Sequence, residues 1–419
     1  MKRLFLKISL LAQVLAPTQV LAEPVSITSE ALRSLLDAKN IRVSSAKLSQ
    51  EAAQEREGSL GRSFLPSLEL HGAQESFKVG NEEQKSQPTY GAEIKANLYN
   101  GGKDQIESDI RRLETTKRST QSKKILAEEL EKARTTYWEL RYLQEKMLLL
   151  KDTLAVNQQN LNAALRRIKS GVATDSDRFE FEMKDVDLKR ELAELEVQIQ
   201  NNTRTLTLLL GLSEGTVLSF PEKLSHDHDY EVSLKYTDKD HEFQYKETQI
   251  QAEQDTLAAK SQHREWWPKL DAYASYNQFN EREEDKIDAN DRTESVVGLR
   301  LSISLPNGFE SRREAAAKLK ESQASQALSI FAKQEIEANL KGEIAELRVM
   351  HDQAHEAEEN ILRSERYYKL TQSEYARGVK NSPDVLGASE KLFDMKNKRL
   401  EILKKFQVAK AHVLSKIGK

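Results

Sequence analysis

Few side chains in this sequence are placed to do chemistry. Asp384 lies six residues after Gly378, with Lys380 one helical turn before it, and Asp177 lies six residues after Gly171. A carboxylate just past a chain reversal can cap the next helix, pair with an ammonium group, or join other carboxylates around a cation. For Asp384 the capping and charge-pairing readings stand side by side. Asp177 reads first as a first-turn aspartate favoured by the helix dipole. His351 and His355 stand at i,i+4 beside Asp352 and Glu356, a spacing compatible with metal binding. No third convergent ligand accompanies that pair, so a solvated helix face is the plainer reading. His226-Asp227-His228-Asp229 is a second such cluster, and there the plainer reading is a solvated linker. Neither is assigned as a metal site. The sequence has no glycine-rich phosphate loop and no nucleophile motif, so neither catalysis nor a cofactor is expected.

The elements that must position these carboxylates are long. From Lys103 to about Ser170 there is no proline or glycine, and apolar residues recur at heptad-like spacing, as in Leu140, Leu143, Met147 and Leu150. A helix of that length would span ~100 Å and could persist only against partner helices. A break at 171–175 follows, with Thr174 or Asp175 as a cap, and then a return helix over about 176–210. The second half has the same plan: a long helix over about 310–377, a break at 378–382, and a return helix over about 383–417. A shorter helix is expected from Ser29, a plausible cap, to about Gly61, and another over about 240–265.

Between these helices lie two strand pairs, about 65–99 and 267–305. Tyr90, Ala92, Ile94, Ala96 and Leu98 alternate with Gly91, Glu93, Lys95 and Asn97. Val297, Leu299, Leu301, Ile303 and Leu305 alternate with Gly298, Arg300, Ser302 and Ser304. Period two with one apolar and one polar face means strand. Residues 78–88 read as the loop of the first hairpin, and about 280–294 as a longer acidic loop in the second.

The two halves are a duplication. Pro66 maps to Pro268, and Gly101, Gly171, Asp177 and Gly211 map to Gly308, Gly378, Asp384 and Gly418 at a constant spacing of 207. The expected organisation is a signal peptide at 1–22, a first repeat at 23–212, a linker at 213–240 and a second repeat at 241–419. Lys2, Arg3 and Lys7, then Ile8 to Ala16 and Val20-Leu21-Ala22, carry the export signal. No later run approaches the ~18–20 apolar residues of a transmembrane helix. The sequence has no cysteine, which excludes disulfides, thiolate metal sites and a lipidated N-terminal cysteine. With 31% charged residues and a net charge of −3, it suits long solvated helices and lacks the basic face that nucleic-acid binding needs.

Four strands of about 9–11 residues are long enough to cross an outer membrane when tilted, yet they leave two unpaired edges. Lipid does not tolerate unpaired backbone, so several chains would have to pool their strands into one barrel. Phe64, Tyr99, Trp266, Trp267 and Phe309 all fall where strands meet helices, as rings at a membrane interface do. Core packing at that junction is the other reading. If such pooling brought copies of Asp384 near a common axis, they would repel one another unless paired with Lys380 or bound to cations.

The duplicated helix–hairpin–helix–turn–helix plan resembles the TolC family of outer-membrane efflux factors over nearly the whole mature chain. The stretch from Arg167 to Asp177 resembles the family's first turn. Tyr375-Ala376-Arg377-Gly378 with Asp384-Val385-Leu386 resembles its second, and Asn100-Gly101-Gly102 resembles the exit from its first hairpin. The resemblance implies a mostly helical fold with long antiparallel coiled coils. It also implies a homotrimer whose twelve strands form one β-barrel in outer-membrane lipid, continued by an α-helical tunnel in the periplasm. The turns at Gly171, Val172, Asp177, Gly378 and Val379 would meet a periplasmic adaptor and an inner-membrane pump of the RND or ABC type. Tyr375, Lys380 and Asp384 would form the gate, and Gly387 stands where some members carry a further aspartate. The implied role is a passive conduit for efflux or type I secretion; a periplasmic coiled-coil scaffold without a channel is the alternative.

Overall fold

The structure, a computed structural model, describes residues 25–58, 60–77, 85–172, 174–225, 243–279, 292–303 and 310–416. Strand β1 (Val25–Ser26) leads into helices α1 (Ala31–Lys39) and α2 (Ile41–Glu57). Strands β2 (Ser67–Phe77) and β3 (Lys85–Asn100) follow, then helices α3 (Lys103–Lys169) and α4 (Asp175–Leu209). After β4 (Leu218–Ser219) come α5 (Phe243–His263), β5 (Lys269–Phe279), β6 (Arg292–Ser302), α6 (Glu310–Ala376) and α7 (Ser382–Lys416). The duplication is repeated in the lengths: α3 and α6 have 67 residues each, α4 and α7 have 35 each. At 1.5 Å per residue the long helices run ~100 Å.

Four details depart from the sequence reading. Arg292–Glu294, expected in the second hairpin loop, belong to β6. The first helix is two helices broken at Asn40, whose extended backbone lets its side chain accept from the Val43 amide at 3.0 Å. The Asn40 amide group also donates to Leu209 O at 2.8 Å, so a tertiary contact fixes the break. Ser29 is not the α1 cap; its amide and hydroxyl donate to Glu222, while Thr28 Oγ1 accepts from Ala31 N. Pro88 is not in a loop but within β3, opposite Gln74. It lies beyond the last β5 pairing, Thr89 with Phe279, and among the described residues its one strand neighbour there is β2. The segment 304–309, with Leu305 and Phe309, and the cluster His226 to Asp229 lie outside the described residues.

β2, β3, β5 and β6 form one antiparallel sheet in that order, so the two hairpins join through β3 and β5. The register sets Leu68, Ile94, Ala274 and Val297 in one row, and Leu70, Ala92 and Tyr276 in the next. That face is apolar and solvent-exposed: Leu70, Val297, Leu299 and Leu301 are each exposed. The opposite face carries Ser67, Lys95 and Tyr273 in one row and Glu69, Glu93 and Ser275 in the next. Lys95 pairs with Asp271 at 3.6 Å, and the Arg300 guanidinium stacks 4.7 Å from the Tyr273 ring. A register slip between Asn97 and Tyr99 ends the strict alternation at Leu98. The outer strands, β2 and β6, are the edges.

Below the sheet, α2, α3, α5 and α6 lie side by side; further on, α4 and α7 take the places of α2 and α5. The largest core sits at this changeover. Tyr137, Leu140, Leu150, Leu206 and Leu403 are fully buried there, and the Tyr137 ring stands edge-on to Trp138 at 5.0 Å and Phe220 at 5.4 Å. Each such side chain stabilises the fold by ~1.5–3 kcal/mol on burial. A smaller cluster of Ala164, Phe181, Tyr375 and Val385 lies at the far ends of the helices.

Candidate functional site

The two turns at those far ends are copies of one another. Gly171 adopts φ +75° and Gly378 φ +80°, a conformation only glycine takes at little cost. Val172 N donates to Arg167 O and Gly171 N to Ile168 O, both at 3.0 Å; Val379 N donates to Glu374 O and Gly378 N to Tyr375 O at the same distances. This pair of bonds closes a helix around a left-handed glycine. Beyond each turn a reciprocal cap opens the return helix. Thr174 N donates to Asp177 Oδ2 at 3.2 Å. Asn381 N donates to Asp384 Oδ2, and Asp384 N to Asn381 Oδ1, both at 3.2 Å. Asp384 therefore takes part in the cap and also pairs with Lys380 at 3.7 Å, so both readings of it describe the same side chain.

Cross-links tie the first turn to the second. Asp177 Oδ1 accepts from the Ser382 amide at 3.3 Å and from the Ser382 hydroxyl. Arg167 Nη1 donates to Tyr375 O at 2.9 Å, and its guanidinium lies 4.1 Å from the Tyr375 ring centre. The Tyr375 and Phe181 rings meet edge-on at 6.4 Å. One to two turns further in, the Tyr368 hydroxyl accepts from Asn160 at 3.3 Å, and Gln372 donates to Asn160 Oδ1 at 3.4 Å. Burial alone would raise the Asp177 carboxyl. Hydrogen bonds from Ser382 and Thr174 and the Arg167 charge outweigh it and hold the carboxyl below its ordinary range. Burial raises the Tyr375 phenol, so it stays neutral across physiological pH.

The sequence reading named Tyr375, Lys380, Asp384 and Asp177; it gave no role to Arg167, and took Ser382 only as one of three possible openings of the return helix, with Asn381 and Pro383. Ser382 is 1% exposed, and it links Asp177 to α7 across 205 residues of chain, a contact that no local pattern announces. Val172 and Val379 are exposed at the extreme tips, 61% and 71%, and the two turns lie side by side.

At the other end of the helices, Phe64, Tyr99 and Trp266 are exposed, and Trp266 meets Trp267 edge-on at 6.5 Å. Arg264 ties this junction together: its Nη1 donates to Gly102 O at 2.9 Å and its guanidinium lies 5.1 Å from the Trp267 ring. His351 and His355 stack edge-on at 4.9 Å. Among the described residues no group of three histidines and carboxylates is arranged to hold a metal ion, and no helix is long and apolar enough to cross a membrane.

A duplicated helical body with a four-stranded sheet at one end and paired turns at the other is the plan of a known family. The model of the outer membrane efflux protein family matches residues 32–212 and 239–418. The chain belongs to that family. It is an outer-membrane protein of the efflux-channel class, and its two matched segments are the two repeats of the fold. No curated protein matches it in sequence. Its fold is shared with solved structures at low identity. The outer membrane protein VceC from Vibrio cholerae is 13% identical over 93% of this chain and 96% of its own, with a TM-score of 0.79. CusC is 13% identical over 93% and 91%, with a TM-score of 0.78. The open state of the Neisseria gonorrhoeae MtrE outer membrane channel is 14% identical over 93% and 88%, with a TM-score of 0.73.

Proposed function

We propose that three copies of this chain pool their four-stranded sheets into one twelve-stranded barrel, and that the helices continue it as a tunnel closed at the paired turns. The observation that carries this is the sheet with an apolar outer face, a charged opposite face and two open edges, β2 and β6. An edge left unpaired in lipid is too costly to persist, and edge-to-edge joining of copies removes every edge at once. The helices support the same arrangement. Exposed apolar residues mark the flanks of the helical body: Ile41 and Leu48 on α2, Phe179, Met183 and Val186 on α4, and Leu328, Phe331 and Leu370 on α6. Such flanks are covered when copies stand side by side. Phe64, Tyr99, Trp266 and Trp267 then mark the membrane interface on the side of the helices.

In this reading the boundaries are a signal peptide to residue 22, repeats at 23–212 and 241–419, and a linker between them. The conduit does no chemistry; an inner-membrane pump drives cargo through it by way of a periplasmic adaptor. Gly171, Val172, Asp177, Gly378 and Val379 form the docking tips, and Tyr375, Lys380 and Asp384 contribute to the closed entrance. Disulfide cross-linking tests the arrangement, because the chain has no cysteine of its own. Single cysteines placed along β2, starting at Leu70, are combined with single cysteines along β6, starting at Leu299. At least one pair is expected to give a covalent trimer in outer-membrane vesicles. Only monomers across the whole set would rule out edge-to-edge joining.

A further inference from the structure

The polar face of the sheet is unevenly charged, and the unevenness does nothing to hold the sheet together. Glu69 on β2 and Glu93 on β3 stand directly opposite one another, in a row completed by Ser275 and Val296. Like charges so placed repel and weaken a sheet. Glu69 is exposed, Glu93 is half-buried, and neither has an ion-pair partner among the described residues. Lys95 and Arg300, on the helix side of that row, are engaged elsewhere. Lys95 turns to Asp271 at 3.6 Å, and the Arg300 guanidinium lies over the Tyr273 ring at 4.7 Å. Glu294, exposed in the next row outward, adds charge of the same sign.

The neighbouring rows leave the two carboxylates clear. On the helix side Tyr273 lies against Gly298, where a Cβ would come within 2.9 Å of the tyrosine hydroxyl. On the other side His71 and Asn277 lie over Gly91, where a Cβ would collide with both. Glycine in a strand admits such close approach, and a side chain laid on it stays near the sheet. At the turns, by contrast, the carboxylates are compensated within the chain. Asp384 pairs with Lys380 at 3.7 Å, Asp177 accepts from Ser382, and Gly387 has no side chain.

We propose that Glu69 and Glu93 make the conduit selective for cations. The inference rests on the three-copy barrel, in which two carboxylates from each copy stand at one level and form a ring around the lumen. The ring acts through its field, as carboxylate rings in cation channels do, and holds no ion at a fixed point. Its reach is the Debye length, about 3 Å at 1 M salt, about 10 Å at 0.1 M and about 30 Å at 0.01 M. A lumen closed by twelve strands is wide, so the preference must grow as salt is diluted. Positively charged cargo is favoured in the barrel over negatively charged cargo.

The test is the reversal potential of the full-length protein in planar bilayers under a potassium chloride gradient, in salt of about 0.01 M and of about 1 M. In dilute salt potassium is expected to permeate about threefold or more over chloride, and in concentrated salt the preference should all but vanish. Glu69→Gln combined with Glu93→Gln is expected to abolish the preference in dilute salt and to keep the particle mass of the wild type. Removing opposed like charges relieves the sheet, and the dilution series on the wild type needs no variant at all. A particle that conducts without cation preference in dilute salt would overturn the inference and leave the conduit standing. So would a preference undiminished in the double variant, which would place the deciding charge elsewhere on the path. A particle that never conducts would contradict the conduit itself, and the inference with it.

Discussion

Ser382→Ala isolates the bond that joins the two turns. The substitution removes the hydroxyl that donates to Asp177 Oδ1, yet leaves the Ser382 amide on the same oxygen at 3.3 Å and the Thr174 amide on Oδ2 at 3.2 Å. Alanine suits the first position of a helix, so α7 itself loses nothing. A hydrogen bond to a charged acceptor contributes ~1.5–3 kcal/mol, and partial exposure of the Asp177 carboxylate screens this to about 1–2 kcal/mol. If three copies part their turns together, the closed entrance loses about 3–6 kcal/mol. At 1.4 kcal/mol per factor of ten, the ratio of open to closed then rises ~10²–10⁴-fold. Single-channel recording in planar bilayers reads that ratio directly, as time spent in the high-conductance level. Particle mass confirms that the variant is still assembled. An assembled Ser382→Ala channel with wild-type occupancy of the closed level would refute the reasoning, and Asp177 would then be only the first-turn residue of α4.

Acid should act on the same bond. The folded Asp177 carboxyl is held below its ordinary value, so it stabilises the closed turns at pH above ~3.9 and loses that contribution as pH falls through the lowered value. Channel recordings are expected to show no change from this group between about pH 5 and 8 and more opening below about 4; Asp177→Asn should abolish that acid step. Gly387→Asp should fit without strain, because a Cβ there meets nothing within 4 Å. The added carboxylate one turn after Asp384 is expected to strengthen block of the current by multivalent cations. Unchanged block would place α7 away from the conducting path. Gly211→Ala is a structural test: a Cβ there would lie 2.3 Å from Lys39 O, at φ +62°. The loss is expected to exceed ~2 kcal/mol and to appear as a lower Tm, whereas Gly171→Ala, with open space around it, should cost only about 1 kcal/mol.

Much of the fold could be read from the sequence because its signals are local. The absence of glycine and proline over 67 residues, the constant offset of 207 between glycines, and the alternation from Tyr90 to Ala96 each act through backbone geometry that a single segment displays. The breaks set by distant contacts could not be read. Asn40 interrupts a plausible helix because its side chain reaches Leu209 O and Glu129, on elements folded from remote sequence. Asp177 was legible as a helix-start aspartate, and Ser382 as one of three possible openings of the return helix. That the two meet depends on α4 and α7 lying side by side, which no spacing encodes. Asp384 shows a further limit: its capping and pairing readings looked like alternatives in the sequence, but its two oxygens allow both at once.

The most direct measurement of the central claim is the protein mass of the particle that detergent extracts from the outer-membrane fraction, taken together with its conductance. The conduit account predicts a particle of three chains that conducts in a planar bilayer. A soluble single chain, absent from that fraction and silent in the bilayer, would contradict it.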